Sequence, residues 1–251
     1  MDIIGRGFLA RHLAARSTAH DGVLVLAAGV SAASGTAQAD FDREAALVAE
    51  AVRRCAADGR RLLIFSTAST GMYGATGRGR EDEPVRPGTP YGWHKLAVEG
   101  LVRESGVDHL VVRLAHVAGP AQPAHQLLPS LADQVLAGRV RLHAGARRDI
   151  IDVVDVVAVL DHLLGAGVSR EVVNIATGHA VPVERLVDRI EQRLGVRARR
   201  TVVATRPVNH FVCTEKLRRL VPAVAAMGFT ETYYEAVLDR YVVARPLVRT
   251  A

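Results

Sequence analysis

Lysine is almost missing from this chain: Lys95 and Lys216 are the two lysines among 32 lysines and arginines. A cationic position filled without regard to chemistry would be lysine about one time in sixteen. The cysteines are two, Cys55 and Cys213, outside any CxxC or His/Cys cluster. That excludes a disulfide framework and a zinc site and leaves two inert thiols, with no metal expected. Aromatics are 4% of the residues, too few to interleave with a basic stripe as nucleic-acid surfaces do. No apolar run reaches the length of a membrane span, and the first residues lack the charged, apolar and small-residue order of a signal peptide. A globular cytoplasmic protein is expected, with neither nucleic acid nor membrane as partner.

What is present is an ordinary folding composition. Of 251 residues 49% are hydrophobic and 23% charged, enough for one large α/β domain or one domain with a small lobe. The formal charge of +6 comes from arginines scattered along the chain. Genomic composition gives the same pattern, as does an anionic small-molecule partner, since a guanidinium pairs bidentately with phosphate.

Apolar runs alternate with helical patterns from the start. Met1 to Ile4 reads as a minimal strand leading into Gly5-Arg6-Gly7-Phe8-Leu9-Ala10, and Leu9, Leu13 and Ala14 mark the inner face of a helix. Strands follow at Val23 to Ala28 and Arg61 to Ser66, with a helix from Phe41 to Ala57 between them. Gly74 to Pro90 is an exposed loop, Tyr91 to about Ser105 a helix, and His109 to Leu114 a strand. Strands separated by helices predict a parallel, doubly wound, Rossmann-like α/β sheet. Residues 1–120 are expected to form the core, and 121–251 a smaller substrate lobe from which 150–180 returns to it. That lobe reads as helix Gln126 to Ala137, strand Val140 to His143, helix Val153 to Leu164, strand Val172 to Ile175 and helix Val183 to Leu194. Arg197 to Val203 reads as a strand, before two terminal helices.

Lys95 lies four residues after Tyr91, so both share one helical face and the ammonium can sit beside the phenol. A compact ammonium suits that place where a wide guanidinium does not. A positive charge there is expected to lower the Tyr91 pKa and make it a proton donor and acceptor near neutral pH. The Gly5 to Ala10 turn lies between a strand and a helix, where glycines let a dinucleotide pyrophosphate approach the backbone. Phe65 to Gly74 puts hydroxyls at the C-terminal edge of a strand, and from there Ser69 could hold the carbonyl oxygen that Tyr91 protonates.

Taken together these segments resemble the extended short-chain dehydrogenase/reductases, the family of nucleotide-sugar epimerases, dehydratases and ketoreductases. Gly7-Phe8-Leu9-Ala10 is similar to that family's GFIG, Leu26-Ala27-Ala28 to its HLAA, and Ser69 to Gly74 to its serine-to-VYG segment. Tyr91 to Lys95 is similar to YxxxK, Arg113 to Pro120 to its strand ending in GP, Arg147 to Val156 to RDFIHVDDV, and Val173 to Gly178 to YNIGSG. The resemblance implies that Tyr91 is the acid/base, that Lys95 holds the cofactor ribose, and that Ser69 fixes the carbonyl. It implies a cofactor site from Gly5, Arg6, Gly7, Phe8, Leu9, Arg11, Ala27, Ala28, Thr67 and Lys95. It implies a substrate site from Ser69, Thr70, His116 and Arg148, the last reaching a diphosphate or pairing with Asp149 or Asp152. In this family the helix carrying Tyr91 and that from Phe41 to Ala57 often pair across a homodimer.

Two departures narrow the expectation. Between Ala10 and Val23 there is room for one helix, where the family inserts two further strands carrying the carboxylate that holds the adenosine ribose. Without that carboxylate, and with Arg6 and Arg11 near the glycine loop, NADP(H) is expected over NAD(H). Thr70 and Gly71 stand where dehydratases of this family carry an acidic pair, so dehydration is disfavoured. The expected activity is NADPH-dependent reduction of a ketone on a nucleoside-diphosphate keto-deoxysugar, as in short 4-ketoreductases of antibiotic deoxysugar pathways. A nucleotide-sugar epimerase with tightly held NAD is the alternative, and a non-catalytic binding or regulatory protein the rival of another class.

Overall fold

Short continuous apolar runs alternate along the chain with period-3.6 apolar patterns, the marks of two-sided strands and of helices with one buried face. The computed structural model describes residues 1–14, 19–32, 35–74, 77–204 and 211–242. The first half runs β1 (Asp2–Ile4), α1 (Phe8–Leu13), β2 (Val23–Leu26), α2 (Gln38–Asp58), β3 (Arg61–Thr67), α3 (Thr70–Tyr73), α4 (Pro90–Glu104), β4 (His109–Leu114) and β5 (His116–Ala118). The second runs α5 (Leu127–Leu136), β6 (Arg139–His143), β7 (Arg147–Arg148), β8 (Ile150–Asp152), α6 (Val153–Gly165), β9 (Glu171–Ile175), β10 (Val181–Pro182), α7 (Val183–Leu194) and β11 (Arg199–Val203). A short helix α8 (Glu215–Leu220), a 3-10 turn (Pro222–Ala226) and α9 (Tyr233–Tyr241) follow.

Five of these strands form one parallel sheet in the order β1-β2-β3-β4-β9. Its strands are apolar on both faces, as a sheet covered on both sides must be. Leu62 and Ile64 of β3 face α2 and α4, with Val48, Ala51, Val98 and Val102. Leu63 and Phe65 face the other way, toward Val156, Val159 and Leu163 of α6. A separate apolar cluster joins Leu128, Leu131 and Val135 of α5 to Leu186, Val187 and Ile190 of α7 and Val237 and Leu238 of α9. It is backed by the parallel pair β6 and β11.

Strand β1 is an edge, paired with β2 alone in register Ile3 to Val25. Among the described residues no strand lies between Ala10 and Val23. The glycine loop opens directly on that edge.

Several boundaries differ from the sequence reading. After the hydroxyl-rich strand edge, Thr70 begins a single helical turn, α3, that the sequence reading did not place. Helix α2 starts at Gln38, three residues before Phe41. Ala14 is exposed, and the inner face of α1 is Phe8, Ala10 and Leu13. Two small strand pairs, β5 with β8 and β7 with β10, are too short for an apolar period to reveal. The Gly74 to Pro90 loop is tied down at Glu81, whose carboxylate accepts from the Asn174 amide at 2.8 Å. Among the described residues no helix is long and apolar enough to cross a membrane, and no group of three or more His, Cys, Asp or Glu is placed to hold a metal ion.

Candidate active site

The C-terminal end of β3 and the start of α4 are locked together by small residues. Thr89 caps α4, its hydroxyl accepting from the Gly92 amide at 3.1 Å, and Pro90 occupies the first turn. A Cβ at Gly92 would overlap the Gly71 carbonyl, so only glycine lets α4 sit this close to the serine loop. The Gly71 carbonyl also accepts from the Gly88 amide at 3.0 Å. These contacts fix Tyr91, one residue into the helix, relative to Ser69.

One turn further along α4, Lys95 is 3% exposed and its Nζ lies 5.7 Å from the Tyr91 ring centroid. The expected neighbourhood of phenol and ammonium is therefore present. Its electrostatic sign is corrected, however. Lys95 donates to Oε1 of Glu44, a buried carboxylate of α2, at 2.6 Å. Burial pushes the Tyr91 phenol above its ordinary value, Lys95 pulls it down, Glu44 pushes it up again, and a hydrogen bond with Thr67 lowers it; the sum is a raised pKa. Burial would likewise raise Glu44, but Lys95 first, then the Val30 amide and His94, hold its carboxyl below the usual range. Oε2 of Glu44 accepts from the Val30 amide at 2.8 Å and pairs with His94 Nε2 at 2.9 Å.

Beneath the site a second buried pair carries the sheet edge. Arg113 of β4 donates to both oxygens of Glu99, at 2.9 and 2.7 Å, and Ser66 donates to the same carboxylate at 2.5 Å. Arg113 also donates to the Tyr73 hydroxyl at 3.0 Å, and that hydroxyl donates to Asn174 of β9 at 2.7 Å. Burial, against the pull of Arg113, lifts the Tyr73 phenol to about 12. Asn174 in turn donates to the Gly79 and Cys213 carbonyls at 2.8 and 3.0 Å, holding the loop after α3 against β9. Tyr91, Lys95 and Glu99 form one i, i+4 stripe on α4, so the same helix face carries both pairs.

A cavity of about 410 Å³ runs along this edge. Gly7, Phe8 and Leu9 line one end, Ala27 and residues 29–32 the side, and Thr67, Ser69, Tyr91, Lys95 and His116 the other end. The cavity thus gathers the three expected catalytic residues and, of the expected cofactor set, Gly7, Phe8, Leu9, Ala27 and Thr67 besides Lys95. The rest stand outside its lining. Gly5 sits behind the loop with φ +137°, a conformation that suits glycine, and a Cβ there would overlap the Ala27 carbonyl. Ala28 packs behind the cavity against the α2 face. Arg6 and Arg11 are exposed on the open edge. Thr70 begins α3, but its side chain lies outside the described residues. Arg148 is half-buried in β7, outside the cavity's lining, and donates to the Arg147 carbonyl at 2.7 Å, and burial lowers its pKa. Neither aspartate offered for Arg148 is its partner: Asp149 accepts from Thr177 and Gly178, and Asp152 from Arg240 and Tyr241. Burial raises the Asp149 carboxyl despite those donors.

The chemistry of the lining suits a nicotinamide dinucleotide. At one end the first turn of α1 follows Gly7 with no side-chain cap, leaving its amides to a ligand, and at the other stand the Lys95 ammonium and the hydroxyls of Thr67, Ser69 and Tyr91.

Glu44, Glu99 and Arg113 are the polar residues that sequence reading overlooked. Each breaks an apolar pattern, Glu44 on the inner stripe Phe41, Glu44, Val48, Ala51, Cys55 and Arg113 inside the apolar strand β4, which is the signal that could have found them.

The NAD dependent epimerase/dehydratase family model matches residues 5–176. A dTDP-6-deoxy-L-talose 4-dehydrogenase (NAD(P)(+)) of Kitasatospora kifunensis is 33% identical over 162 residues, 59% of this chain and 50% of the relative. A putative UDP-glucose 4-epimerase of Methanocaldococcus jannaschii is 27% identical over 147 residues, 54% and 48% of the two chains. The chain thus spans about half the length of the curated relatives it matches. Among solved structures, RMD from Pseudomonas aeruginosa complexed with NADPH superposes with TM-score 0.73 at 20% identity, over 88% of this chain and 91% of that one. The Bordetella bronchiseptica enzyme WbmG in complex with NAD and UDP superposes with TM-score 0.71 at 24% identity, over 96% and 81%. These structural likenesses establish the fold.

Proposed function

The chain belongs to the NAD-dependent epimerase/dehydratase family, and from that premise we propose that it reduces a ketone on a nucleoside-diphosphate-linked keto-deoxysugar, with NADPH as the preferred reductant. One observation carries this reading: Ser69, Tyr91 and Lys95 face the same cavity as the glycine loop. A carbonyl oxygen lodged between the Ser69 and Tyr91 hydroxyls is polarised by the first and takes its proton from the second. The Tyr91 O–H bond breaks as the new O–H bond of the alcohol forms, and the phenolate left behind faces the Lys95 ammonium. Bound nicotinamide supplies the hydride. Lys95, at the cavity wall, orients the cofactor ribose.

Reduction is favoured over dehydration by the space at Gly71. A Cβ there would lie 2.8 Å from the Thr89 hydroxyl and 3.3 Å from Ser69 Oγ, so an acidic side chain in that place meets the cap of α4. The preference for a 2′-phosphate rests on Arg6 and Arg11, both exposed beside the glycine loop. A homodimer belongs to the same reading, since α2 and α4 pack side by side and Trp93 stands 58% exposed on α4. Sedimentation as a monomer would remove that part.

The test is NADPH consumption with a panel of nucleoside-diphosphate keto-sugars, with NADH beside it. Steady oxidation with a 4-keto-6-deoxysugar, faster with NADPH, supports the reading; no oxidation with any member ends it. The relative named a putative UDP-glucose 4-epimerase favours a second reading, epimerisation with the cofactor retained through turnover. Nicotinamide absorbance that survives purification would favour that one.

A further inference from the structure

Glu44 is the charged member of the buried face of α2, and it sits at the wall of the candidate active site. Gly29 leaves the room for it: a Cβ there would overlap Glu44 Oε1 and lie 3.0 Å from Lys95 Nζ. The carboxylate holds the Lys95 ammonium at 2.6 Å, and a longer contact of 3.4 Å joins Nζ to the Phe65 carbonyl. His94, whose ring packs tilted against Phe41 at 4.6 Å between centroids, and the Val30 amide fix the other oxygen. An ion pair serving stability alone could sit anywhere under the sheet. This one has its cationic member facing the phenol that gives up the proton.

We propose that Glu44 is a positioning residue that holds Lys95 at the ribose edge of the cavity and offsets its charge, so that Tyr91 keeps its proton until cofactor and substrate are in place. The proposal rests on the reading of Tyr91 and Lys95 given above. Ribose hydroxyls must then compete with the Glu44 carboxylate for the ammonium. The groups that face Tyr91 are Lys95 from its own helix, Glu44 from α2 and Thr67 from β3, while His116 and His125 line the same cavity. Glu44 itself faces Lys95 and His94 of α4 and the Val30 amide. Removing its charge leaves an uncompensated ammonium beside the phenol, which favours phenolate.

The experiment follows the Tyr91 phenolate by ultraviolet absorbance against pH, as the difference between each protein and its Tyr91→Phe counterpart, with circular dichroism at every pH. In the native chain the midpoint should lie above the ordinary 10.0. In Glu44→Gln it should fall by about one unit, the low end of what a close charge does. Fluorescence titration with NADPH should show severalfold tighter binding to Glu44→Gln, because the ribose no longer competes with a carboxylate. If Glu44→Gln does not fold, Glu44→Asp, whose shorter carboxylate loosens the pair, should give a smaller fall of the same sign. An unchanged midpoint in a folded variant overturns the proposal, as does a rise. None of these readouts needs turnover, so they remain decisive if the keto-sugar assay fails.

Discussion

At the Tyr91 end of the cavity, Tyr91 and Lys95 are held by three elements, with a carboxylate from α2, a hydroxyl from β3 and the Gly92–Gly71 contact fixing their places. At the glycine-loop end, β1 has three residues and a hydrogen-bonded neighbour on one side, and the nearby arginines are exposed. The first end is preorganised and desolvated, where charges interact strongly and misplacement is expensive. The second is open, where charges are screened and each contact contributes little. Proton transfer should therefore be sensitive to single atoms, whereas cofactor discrimination should be graded and shallow.

The largest effect is expected at Tyr91. Tyr91→Phe should lower kcat by about 10²–10⁴-fold, the usual share of a general acid, while the Kd for NADPH hardly moves. Full turnover in that variant would show that the buried end is structural. Next comes the pair beneath it. Arg113→Ala strands the Glu99 carboxylate in the core and should destabilise the fold by roughly 3–5 kcal/mol in urea unfolding. A change within error would mean that the Ser66, Glu99 and Tyr73 network relaxes freely. The smallest effect belongs to the open end. Arg6→Ala and Arg11→Ala should each reduce the preference for NADPH over NADH by about 0.2–1 kcal/mol, up to roughly fivefold, and leave the melting temperature unchanged. A hundredfold loss from either would make the two ends alike.

The same division decides what the sequence reveals. Continuous apolar runs placed β3 and β4 within a residue or so, because both faces of the sheet are buried, and period-3.6 patterns placed α4 and α7 as closely, because one face of each helix is buried. The YxxxK spacing placed phenol and ammonium on one face because both lie on one helix. Lys95 and Glu44 are instead 51 positions apart, and only the packing of α2 on α4 joins them. The direction of the Tyr91 pKa was therefore illegible, since spacing displays the nearby cation but neither the burial nor the carboxylate that outweigh it. Strands β5, β7, β8 and β10, of two or three residues, are too short for periodicity and owe their pairing to the tertiary fold. Arg148 lies inside a motif-like run, and its guanidinium donates to the neighbouring Arg147 carbonyl, a contact that no residue spacing displays.

The most direct test of hydride delivery to a carbonyl at this edge is the isotopic composition of the product. With the transferable position of NADPH deuterated and a nucleoside-diphosphate 4-keto-6-deoxysugar as substrate, mass spectrometry should find a single deuterium on the new alcohol carbon. Tyr91→Phe should form the same labelled product far more slowly. An alcohol product free of label, or no conversion at all, would contradict the account.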